Sequence, residues 1–456
     1  FEDLEERTGV PGLAEFLERH LFPPDVTHPY DHQAQAFLAS MEGRDVAVSS
    51  GTGSGKTEVF LMAVLSRLLK EARTWEAPNE APTREWWEDS GRAWEPWRSH
   101  ENRPAAVRAL VLYPMNALAE DQMVRLRRLL DSDASRQWFD ENLNGNRFHF
   151  GRYTSAAQPS SHRPDLKGAR RSKQAEQQLA DNLRQIQETQ DSLAGEDEGS
   201  LFHFPRAAGA EALTRWDMQV APPDVLVTNF PMLSIMLGRE DEEHLWESTR
   251  RWLESSPDHK FTLVVDELHL QRGTAGTETA YLLRRLLSRL GLRDNPSQLS
   301  VIATSASLPD NVDSERFLAQ FFDRDEQPFE IFDGEYEYPS SGIADSPGLD
   351  PETQGRLTQI ASGVGPLTEE EVTEAHNALG HIYEVGLKDQ QPMPEKDLAQ
   401  ALFGDREDAR SLLSGLLGRS AISGSPLKFR GHLITSTVSG IWACSDPNCS
   451  LLPPGE

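Results

Sequence analysis

The chain reads as an α/β protein: a parallel sheet with helices on both faces, interrupted by two insertions and followed by a smaller, mainly helical region. Three observations predict this. Short apolar runs recur at residues 46–48, 109–113, 224–228, 262–265 and 299–303, each about the length of a strand. Helical periodicity fills most of the intervals, and that alternation marks a parallel sheet built from crossover units. Each run is followed at once by polar or small residues, so the strand ends converge on one ligand-binding edge.

The first run, Val46 to Val48, leads into a loop of small residues, Ser50, Gly51, Thr52, Gly53, Ser54 and Gly55, that ends in Lys56 and Thr57. Consecutive small residues let backbone N–H groups turn inward on phosphates. The apolar-periodic stretch over 58–71 predicts a helix whose positive end adds to that cradle. A strand before and a helix after separate a phosphate loop from a chance glycine-rich turn. Lys56 then reaches the β- and γ-phosphates of ATP, and the Thr57 hydroxyl ligates Mg²⁺.

Residues 72–104 break the alternation and hold five of the ten tryptophans, Trp75, Trp86, Trp87, Trp94 and Trp97, among prolines and acids. So many acids disfavour stacking on single-stranded bases, and a self-packed surface loop covering the sheet domain is expected. A second insertion spans about 131–213. Within it Arg147 to Tyr153 reads as one more strand, and Ser172 to Gln190, rich in Gln, Arg, Glu and Asp, fits either a solvated helix or a poorly ordered one.

The run ending at Val265 delivers two adjacent carboxylates, Asp266 and Glu267, to a strand end, with His269 just beyond. Asp266 is placed to hold Mg²⁺ through water, and Glu267 to orient and deprotonate the attacking water. His269 can couple this site to a neighbouring element. After the next strand, Thr304, Ser305, Ala306 and Ser307 offer short hydroxyls to the carboxylates and to His269, so that loss of a γ-phosphate is felt elsewhere. Past Leu308 the sheet pattern fades. Residues 338–350, rich in Pro, Gly and Ser, read as a linker between a sheet domain over 1–337 and a region over 351–456. That last region is helical to about Arg419 and strand-like again over 427–442.

Composition sets the outer bounds. With 456 residues, 38% hydrophobic and 26% charged, the chain has material for two or three globular domains. No apolar run has the length of a membrane span and no signal-peptide pattern opens the chain, so cytoplasm is the default expectation. Two cysteines exclude a disulfide framework. Cys444 and Cys449, with four residues between them, lie on a Pro-containing turn and supply either half of a zinc site or two free thiols, since zinc needs four ligands. The net charge of −28 opposes nucleic-acid binding by the surface as a whole, but a motor needs only one basic face. Arg125, Arg127 and Arg128, and the group Arg163, Lys167, Arg170, Arg171 and Lys173, are candidates for it; each reads equally well as a solvated face.

In this order the residues resemble the first motor domain of superfamily 2 helicases of the DEAD/DEAH type, which implies a RecA-like fold. Ser50 to Thr57 resembles motif I, Asp266 to His269 motif II with Leu268 at its third position, and Thr304 to Ser307 motif III with a final Ser. Tyr30 to Gln33 resembles the adenine-reading glutamine motif, with Gln33 as the base contact. The segment Tyr113 to Ala119 with Gln122 resembles motif Ia, and Thr228 to Leu233 motif Ib. The resemblance implies that Pro114, Asn116, Ala117, Gln122, Thr228 and Asn229 grip the backbone of a single strand, a contact that positions phosphates without reading bases. The stretch from His269 through Arg272, Gly273, Gly276 and Glu278 to Leu286 resembles Lhr-like and mitomycin-repair helicases. It adds Arg272 and Gly273 to the nucleic-acid set. Arg215 to Gln219 with Pro222 to Asn229 resembles large helicase subunits of phage-defence systems such as DISARM and Druantia.

The expectation is an ATP- and Mg²⁺-dependent DNA helicase or translocase, the N-terminal motor portion of a larger protein in phage defence or repair. Its implied partners are single-stranded DNA, or duplex with a single-stranded tail, and other subunits of a complex; no membrane is involved. No segment resembles the Gln-x-x-Gly-Arg-x-Gly-Arg signature of a second motor domain. The rival reading is an ATP-gated DNA clamp or partner-loading subunit that separates no strands.

Overall fold

The computed structural model describes residues 1–50, 55–79, 85–89, 93–159, 173–193, 201–271, 273–306, 308, 310–324, 329–334, 349–386 and 395–422. Outside them fall Gly51 to Ser54, Arg272, Ser307, most of the 163–173 basic group, the 427–442 strand reading and both cysteines. The chain divides into two compact units, Phe1–Glu335 and Tyr336–Glu456.

The first unit is built on one eight-stranded sheet of order β4-β3-β5-β2-β6-β7-β1-β8, with every pairing parallel. The strands are β1 (Asp45–Ser49), β2 (Ala109–Tyr113), β3 (Phe150–Tyr153), β4 (Glu211–Ala212), β5 (Val225–Asn229), β6 (Phe261–Val265), β7 (Leu299–Ser305) and β8 (Phe329–Asp333). Short helices α1 (Glu2–Thr8) and α2 (Leu13–Phe16) precede α3 (Asp31–Met41). The crossovers supply α4 (Lys56–Ala72), α5 (Asn116–Asp131), α6 (Asp133–Asn142), α7 (Lys173–Ser192), α8 (Arg215–Val220), α9 (Phe230–Met236), α10 (Glu243–Ser255), α11 (Gly273–Arg289) and α12 (Val312–Phe322).

Strand residues alternate between two cores. Val46, Val111, Tyr113, Val227, Val264 and Ile302 face one cluster with α4 and α5. Ala47, Leu110, Leu112, Leu226, Val265 and Ala303 face the other with α10 and α11. A sheet covered on both sides reads as continuous apolar runs, which is why its strands were visible in the sequence. Helix α4 is buried on nearly all sides, from Val59 to Leu69, as a helix sandwiched between the sheet and further helices must be.

Three features depart from expectation or resolve it. Strand β8 continues the sheet past Leu308, where none was expected. It pairs with β1 at the sheet edge, and its half-exposed residues Glu330 to Phe332 carry too little apolar signal to read as a buried strand. The segment from Lys173 to Ser192 is the helix α7, with Leu179, Ala180 and Leu183 buried against Trp86, Trp87, Trp94 and Trp216. The two insertions therefore pack on each other, and Trp86, Trp87 and Trp94 form a core of their own with Trp216, while Trp75 joins the sheet core.

At the amino ends of the strands a buried ionic network fastens the first insertion to the sheet. Asp224, fully buried, accepts from both terminal nitrogens of Arg103 (2.6 and 2.7 Å), from Arg108 (2.9 Å) and from the His149 amide (2.8 Å). Arg108 also binds Glu71 at the end of α4 (2.6 Å), and the Arg103 guanidinium lies 3.7 Å from the Trp75 ring centre.

The second unit, described by itself, is a helical cluster of α13 (Pro351–Ser362), α14 (Glu369–Gly386), α15 (Glu395–Phe403) and α16 (Ala409–Ala421). Leu357, Ala375, Leu402, Phe403 and Leu416 form its core. Gly415 allows α16 to approach α13 closely, because a Cβ there would stand 2.6 Å from the Ala361 carbonyl oxygen.

Candidate functional site

The carboxyl ends of β1, β7, β6 and β2 bring the candidate residues together. Gly55 adopts φ 78°, the left-handed conformation that a side chain resists, and turns the chain into α4. Among the described residues no side chain caps that helix, whereas Asn229 caps α9 by accepting from Met232 N at 2.8 Å. The positive end of α4 is where an anion would meet the helix. Lys56 is buried and donates to the Ser50 carbonyl at 2.9 Å, with Glu267 Oε1 4.0 Å away. Thr57 sits partly exposed on the first turn.

Glu267 has φ 53° and ψ 45°, which costs a non-glycine residue about 1–2 kcal/mol. Strain of this kind at a strand end is retained where the side chain's direction matters. The turn sends the carboxylate toward Lys56 on one side and His269 Nδ1 (3.2 Å) on the other. That same Nδ1 stands 3.3 Å from the Ala306 amide. The amide needs an acceptor and the carboxylate a donor, so the protonation of His269 selects which partner it holds. Asp266 Oδ1 accepts from the Thr304 hydroxyl and from the Glu267 amide (3.0 Å). Burial raises the Asp266 carboxyl above its usual range, opposed by the Thr304 hydrogen bond and by Lys56. Its second oxygen carries no hydrogen bond among the described residues.

This donor set fits Mg²⁺, which keeps several waters and takes only one or two protein oxygens. Thr57 and Asp266 would hold it. Zinc has no such support: among the described residues no cluster of three or more His, Cys, Asp or Glu is suited to a metal, and Cys444 and Cys449 lie outside them.

Gln33 is buried at the start of α3. Its Oε1 accepts from Tyr30 N (2.8 Å) and its Nε2 donates to the Gly55 carbonyl (2.9 Å), so it braces the phosphate loop directly. One N–H of its amide is left for a base. Ser305, buried, receives the Ser50 amide on its carbonyl at 3.1 Å, locking β7 to the loop.

The strand-gripping candidates gather at the same edge, with two corrections. Asn116 is exposed and accepts from Asn229 Nδ2 at 2.6 Å, joining the two segments. Pro114 and Gln122 are partly exposed and Gly273 is exposed at φ 61°; the side chain of Ala117 lies outside the described set. Thr228, however, is fully buried and spends its hydroxyl on the Tyr153 carbonyl (2.6 Å), so its side chain offers nothing to a strand. The arginine group is no single free patch either. Arg127 is buried against Glu211 (2.6 Å), Arg125 is paired with Glu58 (2.8 Å), and only Arg128 of the three has no ion pair among the described residues. Spacing on a helix shows that three arginines cluster, not that one of them turns inward.

Tyr113 escaped the sequence reading of the site. It ends β2 beside Asp266, fully buried, and its hydroxyl has no hydrogen-bond partner among the described residues. The available signal was a phenol closing an otherwise aliphatic strand.

Fold and site bring a buried lysine at a helix start together with paired strand-end carboxylates. The family described as DEAD/DEAH box helicase matches residues 30–148 of the chain. The chain is 32% identical over 325 residues to the Druantia protein DruE of Escherichia coli, covering 63% of this chain and 16% of that protein. It is 34% identical over 119 residues to an uncharacterized ATP-dependent helicase of Methanocaldococcus jannaschii, covering 26% of this chain and 15% of that one. Among solved structures, the DUF1998 helicase MrfA bound to DNA aligns over 91% of this chain and 43% of its own, at 17% identity and a TM-score of 0.41. The chain thus spans only a small fraction of the curated relatives it matches. Among the described residues no helix is long and apolar enough to cross a membrane.

Proposed function

We propose that this chain is the ATP-binding half of a DNA translocase or helicase that works in phage defence or repair, with a second motor domain closing over the site. The observation that carries the reading is Glu267, held in a left-handed turn between Lys56 and His269 beside the Thr304-bound Asp266. Lys56 offsets charge that develops on the terminal phosphate, and Glu267 takes the proton of the attacking water. Bound Mg²⁺ would supply further neutralisation of the phosphates. His269, able to hold either Glu267 or the Ala306 amide, passes the state of the site to the segment after β7. The Asn116 and Asn229 edge, with its small residues and backbone amides, suits a phosphate backbone. DNA is preferred on the likeness of the 215–229 and 269–286 segments to defence and repair helicases.

The test uses the full-length protein that contains this chain. Glu267→Gln keeps the shape of the side chain and removes the base, so ATP turnover should fall by about 10²- to 10⁴-fold while ATP and DNA binding persist. Unchanged turnover overturns the assigned role. Displacement of a labelled strand from a tailed duplex supports the motor, and DNA-stimulated turnover without displacement supports the clamp.

A further inference from the structure

We infer that the Tyr113 hydroxyl is a positioning group of the nucleotide site, donating a hydrogen bond to a water held at Asp266. This rests on the nucleotide-site reading above and deepens it.

The placement follows from the register. Leu112 pairs with Val265 across β2 and β6, and the Asp266 amide donates to the Leu112 carbonyl at 3.0 Å, so Tyr113 and Asp266 are lateral neighbours. In a parallel sheet such neighbours project to the same face. Val111 and Tyr113 on β2, Val264 on β6 and Ile302 on β7 all face the α4 and α5 side, which puts Tyr113, Asp266 and Thr304 in a row at three adjoining strand ends. Thr304 serves Asp266 from one side. Tyr113 stands on the other side with its hydroxyl buried and unpartnered.

A buried hydroxyl without a partner costs about 1–3 kcal/mol, and a phenylalanine would fill the same apolar space without that cost. The register sets Tyr113 beside Asp266, yet its hydroxyl bonds neither Asp266 nor Glu267. A polar group that faces two carboxylates beyond direct reach is bridged to them by water. The free oxygen of Asp266 and the phenol together define where that water sits, and it is the place at which a hydrated Mg²⁺ would meet this strand end. Tyr113 acts through that water, not on the phosphates.

The experiment compares this chain with its Tyr113→Phe variant by two readouts. Thermal unfolding without nucleotide should show the variant equal to or more stable than the parent, because the orphan hydroxyl is gone. Titration with a fluorescent ATP analogue, in Mg²⁺ and again in EDTA, should show affinity reduced about 3- to 30-fold in Mg²⁺ and unchanged in EDTA. Equal affinities in Mg²⁺ overturn the inference, as does a loss of the same size in EDTA, which would mark a general structural role. If the parent chain binds no nucleotide under either condition, the site reading itself fails, and that result is distinct from a silent variant. Should the variant unfold, Tyr113→Met supplies the same titration without an aromatic ring.

Discussion

Replacing Asp224 tests how the molecule holds the Trp-rich insertion to its sheet. The carboxylate is fully buried and accepts four hydrogen bonds, three from Arg103 and Arg108 and one from the His149 amide. Burial alone would raise its pKa, but Arg103 and Arg108 overcome that and hold it far below the usual carboxylate range. Among the described residues, Asp224→Ala removes the one partner that binds Arg103 at two points, and leaves Arg108 with Glu71 as its remaining ion-pair partner. Removing one member of a buried ion pair costs about 3–5 kcal/mol, because the remaining charge stays desolvated. With an m-value of about 3 kcal/mol per molar urea for a unit of this size, the midpoint should fall by about 1–2 M. Urea unfolding followed by tryptophan fluorescence reads it, since most tryptophans lie in the first unit. Because the folded pKa is depressed, the contribution is present above the unfolded value and is lost as pH falls through the folded one, so the difference between variant and parent should shrink in acid. The double variant Asp224→Asn with Arg103→Met removes both ions and should lose less than the sum of the singles. A midpoint shift below about 0.3 M would refute the reasoning, for it would mean the cluster is hydrated and the charges were never desolvated.

Two further expectations concern single side chains. Thr304→Val keeps the β-branched shape of β7 but removes the donor to Asp266; a hydrogen bond to a charged group is worth about 1.5–3 kcal/mol, so ATP turnover of the full-length protein should fall about 10- to 100-fold, and a change below twofold would show that the bond does not serve the site. Asp217 lies buried in the first turn of α8, and burial pushes its carboxyl up to about 7 against the hydrogen bond from Thr214. Its folded pKa exceeds the unfolded one, so stability is greatest below the unfolded value and declines as pH rises toward 7. Asp217→Asn should flatten that decline, and urea midpoints at pH 5 and pH 8 that move in parallel for variant and parent would contradict it.

The strands that carry chemistry were legible because both faces of the sheet are covered. Burial on two sides forces uninterrupted aliphatic runs, and the requirement for tight turns at their ends forces small or acidic residues, as at Gly55 and at Asp266 and Glu267. Strand β8 was not legible because an edge strand is half exposed and needs no such run. Residues whose role depends on a distant partner were equally hidden. Thr228 looks like a surface hydroxyl until β3 is placed beside it, and Arg127 looks solvated until Glu211 arrives from 84 residues away. The packing of the two insertions on each other belongs to the same class, since Trp94 and Leu183 meet only in the folded chain.

The two ends of the sheet solve opposite problems, and the contrast locates the function. At the amino ends, Asp224, Arg103, Arg108 and Glu71 are brought together so that buried charges have partners, which fixes the strands in place without any ligand. At the carboxyl ends, among the described residues, Tyr113 keeps an unpartnered hydroxyl and Glu267 is held in a strained turn. Each of these costs about 1–3 kcal/mol in the empty protein, and a folded chain of marginal stability retains such costs only where something else removes them. A nucleotide with its hydrated metal would bring a partner for the phenol. Occupation should therefore stabilise this end of the sheet more than its direct contacts with Lys56 alone would, and the gain follows the ratio of ligand concentration to its dissociation constant.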